Sequence, residues 1–417
     1  MYKKSFNTGG GKPSRSSFSK SGPSRFGRSS GGGNRSAGRG GGRRSFGERI
    51  DFSRFINKAV VSTDKAEHFI PEHEFSDFEI EKELKDAIIS KGYKIPTPIQ
   101  DQAIPHVLRG VDVVGVANTG TGKTAAFLIP LINKVRLDIK QQVLIIVPTR
   151  ELAIQIDSEL KEFTRGLKTG KKIFSVVCVG GANIARQMKD LQYQYNFIIG
   201  TPGRLKDLID RKKIFLNEFQ TIVLDEADRM LDMGFINDMR YVMDRMPKER
   251  HTLFFSATIS AEIQKLINEF LKNPVKISVK TGDTAKNVEQ DIVRVGAGNK
   301  IEVLHDLLNK KEFHKVLIFG RTKHGVERLS KDLVQRGFKA ESIHGDKNQS
   351  HRQRSLKSFK ENQAQILVAT DVAARGLDIP NVSHVINYEL PATYDDYVHR
   401  IGRTGRGDKM GVALTFV

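Results

Sequence analysis

The sequence predicts an α/β protein of two tandem domains, each a mostly parallel sheet covered by helices, behind a disordered N-terminal tail. Three observations predict it. Short apolar runs alternate with longer segments of helical spacing, as in sheets whose crossover helices cover both faces. The alternation lapses once, into the polar stretch K-T-G-D-T-A-K-N-V-E-Q before and at Gln290, and then resumes. Residues 1–49 are Gly, Ser and Arg without apolar periodicity, so they cannot bury enough surface to offset their ordering entropy.

The composition narrows the partners. The chain has 417 residues, enough for two or three domains, and carries a net charge of +20 with a pI near 9.8. Such charge points to a polyanion. The tail holds twelve Lys or Arg against Glu48, so +11 of the +20 lies there and +9 (20 − 11) in the rest. Its arginines suit phosphates, and Tyr2, Phe6, Phe18, Phe26 and Phe46 suit base stacking, so loose RNA binding is expected of it. No apolar run reaches the ~20 residues of a membrane span, and the N-terminus lacks the apolar core of a secretory signal. Cys178 is the one cysteine and sits in an apolar run, so it reads as a packed thiol in a reducing, cytoplasmic setting.

The elements follow in order. In the extension 50–72, Asp51 to Val60 has Phe52, Phe55, Ile56 and Ala59 on one helical face, with no function evident. A first domain is expected over 73–278. It starts with a helix from Ile80 to Ser90 and a second ending at Leu108. Strands are expected at 112–117, 142–147, 173–179, 196–200, 220–224 and 252–255. Residues 279–289 read as a linker. The second domain, 290–417, should carry strands at 290–295, 315–320, 339–343, 365–369, 384–387 and 412–416.

Asp112 to Thr124 organises the chain. An apolar strand runs into Ala117-Asn118-Thr119-Gly120-Thr121-Gly122-Lys123-Thr124, followed by helical spacing. That order makes a phosphate cradle: the glycines let backbone N–H groups turn inward, and the helix N-terminus adds positive potential. Lys123 would reach the β- and γ-phosphates, and the Thr124 hydroxyl would hold Mg²⁺. The generic pattern has Gly where Ala117 stands. A partner acid site follows the apolar run ending at Leu224, as Asp225-Glu226-Ala227-Asp228. Carboxylates at the end of a buried strand face the ligand crevice. Asp225 would support the metal, and Glu226 would orient the attacking water and take its proton.

The D-E-A-D sequence, the A-x-x-G-x-G-K-T loop and Ser256-Ala257-Thr258 together resemble the DEAD-box RNA helicases of superfamily 2, whose phosphate loop carries Ala at the position of Ala117. The resemblance runs from about Phe75 to Val417 and implies two RecA-like domains. Gly92 to Gln100, G-Y-K-I-P-T-P-I-Q, resembles the family's Q motif. Gln100 has the donor and acceptor to read adenine, and Tyr93 or Phe75 could pack on the base, which implies ATP. Pro148 to Ala153 with Arg150, Gly180–Gly181, and Thr201 to Arg204 are similar to RNA-binding motifs of the first domain. Ser256 and Thr258 resemble the pair that couples the ATP site to strand separation, through hydroxyl contacts to the acidic motif.

In the second domain, Leu317 to Thr322 resembles motif IV, with Gly320 where Val is frequent. Gln349 and Arg352 match a strand-binding Q-x-x-R. In Ala369 to Asp378, Thr370 would touch RNA, and Gly376 and Asp378 would face the nucleotide. Tyr397 to Arg406 resembles motif VI, and Arg403 and Arg406 are the expected fingers on the γ-phosphate. His344 and His399 lack ligand-spaced partners, so no zinc is expected.

The resemblance implies an RNA-stimulated ATPase that uses ATP and Mg²⁺ and acts as a monomer without a membrane. Its partners would be single-stranded RNA or short duplexes, with ribonucleoprotein or ribosomal precursors as further candidates. Local unwinding without sequence preference is the expected activity. The alternatives are an ATP-gated RNA clamp and a DNA helicase. The Q motif and D-E-A-D weigh against the latter.

Overall fold

The computed structural model describes residues 56, 69–118, 120–168, 170, 172–279, 287–296, 298–374, 377, 379–405 and 410–417. The basic tail, the segment 51–60 apart from Ile56, and most of the expected linker lie outside the described residues. Ile56 is exposed.

The first half contains α1 (Lys82–Ser90), α2 (Pro98–Leu108), β1 (Val113–Val116), α3 (Lys123–Leu137), β2 (Val143–Ile146), α4 (Arg150–Thr164), β3 (Ser175–Cys178) and α5 (Ile184–Asp190). It continues with β4 (Phe197–Gly200), α6 (Pro202–Asp210), β5 (Thr221–Leu224), α7 (Ala227–Asp232), α8 (Ile236–Met243), β6 (His251–Ser256), α9 (Ala261–Phe270) and β7 (Val275–Ser278). Its seven strands form one sheet in the order β3-β4-β2-β5-β6-β1-β7, and every pairing is parallel. The strands are short apolar runs because both faces are covered. Ile145, Val223, Leu253 and Phe255 face one core, while Leu144, Ile146, Ile222, Leu224 and Phe254 face the other. β7 is absent from the sequence reading: it is an edge strand in which only Ile277 is buried.

The second half contains β8 (Val288–Val293), α10 (Lys300–Leu308), β9 (Val316–Gly320), α11 (Lys323–Gln335), β10 (Ala340–Ile343) and α12 (Gln349–Lys360). It ends with β11 (Ile366–Thr370), α13 (Asp371–Ala374), β12 (His384–Asn387), α14 (Tyr394–Ile401) and β13 (Gly411–Phe416). The sheet order is β10-β11-β9-β12-β13-β8, again parallel throughout. β8 opens at Val288, ahead of the expected Gln290, because Val288 and Glu289 pair with Gly411 and Val412 of β13.

Several helices start where capping residues sit. Thr149, Thr322, Asn348 and Thr393 each accept an N–H from the first turn of the helix that follows. Parallel pairing puts all strand C-termini of a sheet on one side. In the first sheet this divides the crevice in two. β5, β6 and β1 are adjacent and lead into D-E-A-D, S-A-T and the glycine loop. β3, β4 and β2 are adjacent and lead into Gly180–Gly181, Thr201–Arg204 and Pro148–Ala153.

Candidate nucleotide and nucleic-acid site

The glycine loop is shaped from its own backbone and from the Q-motif segment beneath it. Gly120 and Gly122 have φ of 84° and 91°, angles that side-chain-bearing residues rarely adopt. Gln100, buried on α2, accepts from Thr97 N at 2.9 Å and donates through Nε2 to Gly122 O at 3.1 Å. Its amide therefore supports the loop. Thr121 Oγ1 donates to Asn118 O at 2.8 Å, and Lys123 Nζ is buried and donates to Ala117 O at 2.6 Å. Lys123 thus crosses the mouth of the loop, and Thr124 stands half-buried beside it. Thr119 lies outside the described residues.

Phe75 and Tyr93 behave differently from the sequence expectation of a base-stacking face. Phe75 is fully enclosed, with ring-edge contacts to Phe78 and Tyr93. Tyr93 packs edge-on against Phe163 of α4 and points its hydroxyl at Glu159, 3.5 Å away. Burial and Glu159 push that phenol up to about 12. The aromatic pair ties the segments flanking α1 to α4.

The acidic motif converges on Lys123. Asp225 is buried, and desolvation pushes its carboxyl up to about 7 even though Lys123 opposes the shift. Glu226 has φ 51° and its N–H donates to Asp225 Oδ1 at 2.9 Å, while its buried Oε2 has no hydrogen-bond partner. A left-handed glutamate with an unspent buried oxygen is a costly arrangement, of the kind that clusters at functional sites. The donor set suits a hard cation. Asp225 is an under-compensated carboxylate, Thr124 is a hydroxyl, and neither is a nitrogen or sulfur ligand. Among the described residues no group of three His, Cys, Asp or Glu converges as a protein-only metal cage, so Mg²⁺ would fit here only with phosphate and water completing its shell.

Asp228, which the sequence reading left without a role, is the hub of the coupling contact. Its Oδ2 accepts from Ala257 N at 3.1 Å, Thr258 N at 2.9 Å and Thr258 Oγ1 at 3.1 Å. The Ser256 hydroxyl turns instead to Thr258 O at 2.8 Å, and Ser256 O accepts from Ala117 N at 3.0 Å. Acid motif, S-A-T and glycine loop therefore form one hydrogen-bonded unit.

On the other side of the crevice, cations gather. The Arg150 guanidinium lies over Gly181, where a Cβ would sit 2.0 Å from Nη1, and Gly181 has φ 73°. Burial, then Arg352 and Arg204, push its pKa down, with Glu151 opposing. Arg204 Nη1 donates to Ala182 O at 3.3 Å, and Thr201 stands at the N-cap position of α6 with extended backbone and no side-chain cap. From their motif, Gln349 and Arg352 are expected to face RNA. In the structure both are buried and face Glu151: Arg352 Nε and Nη2 donate to its two carboxylate oxygens at 2.8 and 2.7 Å, and Gln349 Nε2 lies 3.4 Å from Oε1. A buried carboxylate needs such a partner, and this one comes from the other half of the chain.

In the second half, Arg403 is also folded inward, with Nη1 donating to Leu377 O at 2.8 Å. Arg400 is buried between Asp371, at 2.6 and 2.8 Å, and Asn387 and Glu389 O, at 3.2 and 2.7 Å. Thr370 ends β11 half-buried. Gly376, Asp378 and Arg406 lie outside the described residues. Glu151, Asp228 and Asp371 all stand inside recognised motifs, so their place in those motifs was the available signal for them.

Comparison with known proteins agrees with this geometry. Residues 97–266 match the model of the DEAD/DEAH box helicase family, and residues 299–408 match the helicase conserved C-terminal domain. The ATP-dependent RNA helicase CshA of Limosilactobacillus reuteri is 46% identical over 345 residues, covering 82% of this chain and 69% of the relative. The DEAD-box ATP-dependent RNA helicase CshA of Bacillus subtilis is 45% identical with the same coverage. Among solved structures, the DEAD-box helicase Mss116 bound to ssRNA and UDP-BeF superposes with a TM-score of 0.75 at 31% identity, over 84% of this chain and 76% of that one. S. cerevisiae Dbp5 bound to RNA and ADP BeF3 gives 0.73 at 31% identity, over 82% and 89%.

Proposed function

Because the chain belongs to the DEAD-box family of ATP-dependent RNA helicases, we propose that it opens short RNA duplexes locally, or remodels RNA–protein complexes, by closing its two halves over ATP and one RNA strand. The observation that carries the reading is the convergence of Lys123, Asp225 and Glu226 at the glycine loop, joined to S-A-T through Asp228.

Each residue then has a task. Gln100 and the loop Ala117 to Thr124 hold and select the nucleotide, and Lys123 leaves Ala117 O to meet its phosphates. Mg²⁺, held by Thr124 and Asp225, would neutralise phosphate charge. Glu226, its Oε2 unspent, orients the attacking water and accepts its proton. Arg403, released from Leu377 O, and Arg406 bring fixed positive charge to the γ-phosphate. Gly376 and Asp378 line the nucleotide from the second half. Arg150, Gly181, Thr201, Arg204 and Thr370 contact RNA phosphates, and a backbone-directed set of this kind reads little sequence. Gln349 and Arg352 add to that surface by holding Glu151, which follows Arg150.

The working halves are residues 73–278 and the segment from Val288 onward, with the tail adding affinity for RNA. The protein acts as a monomer in the cytoplasm, where a packed thiol such as Cys178, pushed up to about 12 by burial, stays inert.

RNA-stimulated ATP turnover of the parent and of Glu226→Gln tests the reading. Turnover should rise with RNA, and the variant should lose ~10² or more of kcat while still binding ATP and RNA. Retained turnover in the variant, or no stimulation by RNA, defeats it. Displacement of a short duplex by the active protein separates an unwinding enzyme from an ATP-gated clamp, which would hydrolyse ATP and release no strand.

A further inference from the structure

The second half contains a buried polar chain that the ATP and RNA sites do not use. It starts on β8, the first strand after the segment joining the halves. Gln290 Oε1 accepts from the Tyr397 hydroxyl of α14 at 2.9 Å. The Thr415 hydroxyl of β13 lies beside the same phenol. Asn387 Nδ2 of β12 donates to Thr415 Oγ1 at 3.0 Å, and Asn387 Oδ1 accepts from Arg400 Nη1 at 3.2 Å. Arg400 closes the chain on Asp371, the residue after Thr370. Gln290, Tyr397, Thr415, Asn387 and Arg400 are each at most 3% exposed.

Two backbone contacts bind the same elements together. Gly405 has φ 65°, and a Cβ there would lie 2.6 Å from Val288 Cγ2 and 2.9 Å from Asn287 O. Gly411 N donates to Asn287 O at 3.0 Å. The turn carrying Arg403 to Gly405 is therefore seated on the first two described residues after the joining segment.

Burying so many polar groups is costly unless each is satisfied by its neighbour, and an apolar interior would hold the helix without them. Such a chain defines position: α14 can sit in one register on the sheet and no other. We propose that Gln290 and Tyr397 are positioning residues for ATP hydrolysis, fixing α14 and its following turn to β8 so that the strand entering the second half and Arg403 move as one body. This rests on the reading of Arg403 as a group that reaches the γ-phosphate.

Tyr397→Phe removes one oxygen and keeps the ring. Its RNA-stimulated kcat should fall about tenfold, with KM for ATP and RNA affinity within about twofold of the parent. Tyr397→Phe combined with Gln290→Met replaces both ends of the contact by apolar groups, so melting temperature should recover while kcat stays low. A merely structural contact would restore both together. Thr415→Val carries the same measurements from the sheet side if Tyr397→Phe folds poorly. The inference falls if kcat of a folded variant stays within twofold of the parent, or if kcat returns with stability in the double variant. Arg403→Ala is assayed beside them. If Arg403→Ala keeps its kcat, the finger reading has failed. If only Arg403→Ala loses it, the positioning role alone is wrong.

Discussion

Single residues in this chain are tuned by what encloses them. His384, at the head of β12, stacks on Phe313 with ring centroids 3.9 Å apart, and burial pulls its pKa down to about 4. Glu312 pulls the other way and His314 adds to the lowering. An unfolded histidine titrates near ~6.5. Between that value and about 4 the unfolded chain binds a proton that the native state refuses. Stability from this group is therefore complete above about 6.5 and is lost as the pH falls toward about 4. Thermal melts from neutral pH downward should show the loss, and His384→Phe, which keeps the stacked ring, should flatten it. An unchanged slope in the variant means that other groups govern acid sensitivity. Asp225 shows the opposite tuning, a carboxyl that burial holds near neutrality beside Lys123.

At the scale of elements, the strand–loop–helix unit around Gly122 makes the sharpest prediction. A Cβ there would sit 2.3 Å from Gln100 Nε2, on a backbone with φ 91°. Left-handed backbone alone costs a side chain about 1–2 kcal/mol, and the clash displaces the amide that supports the loop. Gly122→Ala should therefore weaken ATP binding by about tenfold or more with the fold intact, as read by titration with a fluorescent nucleotide. This unit was legible in the sequence because its parts are local: an apolar run, glycines at fixed spacing, a lysine and a helix. The doubly buried strands were legible for the same reason. β7 was not, because Lys276 and Ser278 are exposed on an edge and break the apolar run. Side-chain pairing was the least legible. Phe75 closes on Phe78 and Tyr93, Arg403 turns to Leu377 O, and Arg352 finds Glu151 from 201 residues away. No local pattern encodes those choices. Gly320 is an intermediate case. The family resemblance favours Val there, and the structure supplies the reason for glycine: a Cβ would meet Val326 Cγ2 at 2.9 Å.

At the scale of the whole molecule, the Glu151–Arg352 pair links the two halves through charges that are both buried. Removing one partner strands the other, a loss of about 3–5 kcal/mol in comparable pairs. Glu151→Ala and Arg352→Ala should each lower RNA-stimulated turnover by tenfold or more. The double variant should be no worse than the poorer single one, because both remove the same contact. Additive losses in that cycle would mean that the two side chains act separately. The polar chain from Gln290 to Arg400 works within the second half, whereas this pair works across the halves.

The uniform strand direction has a practical consequence. Each turn that leads from a helix into a strand is carried to the rim opposite the chemistry. Asn273 and Asn362 occupy such turns, before β7 and β11, with φ of 44° and 59°. The exposed neighbours of these residues in the same turns are natural attachment points. A dye, an affinity handle or a short inserted peptide at either place leaves the catalytic rim untouched, and one at each reports the distance between the halves during turnover.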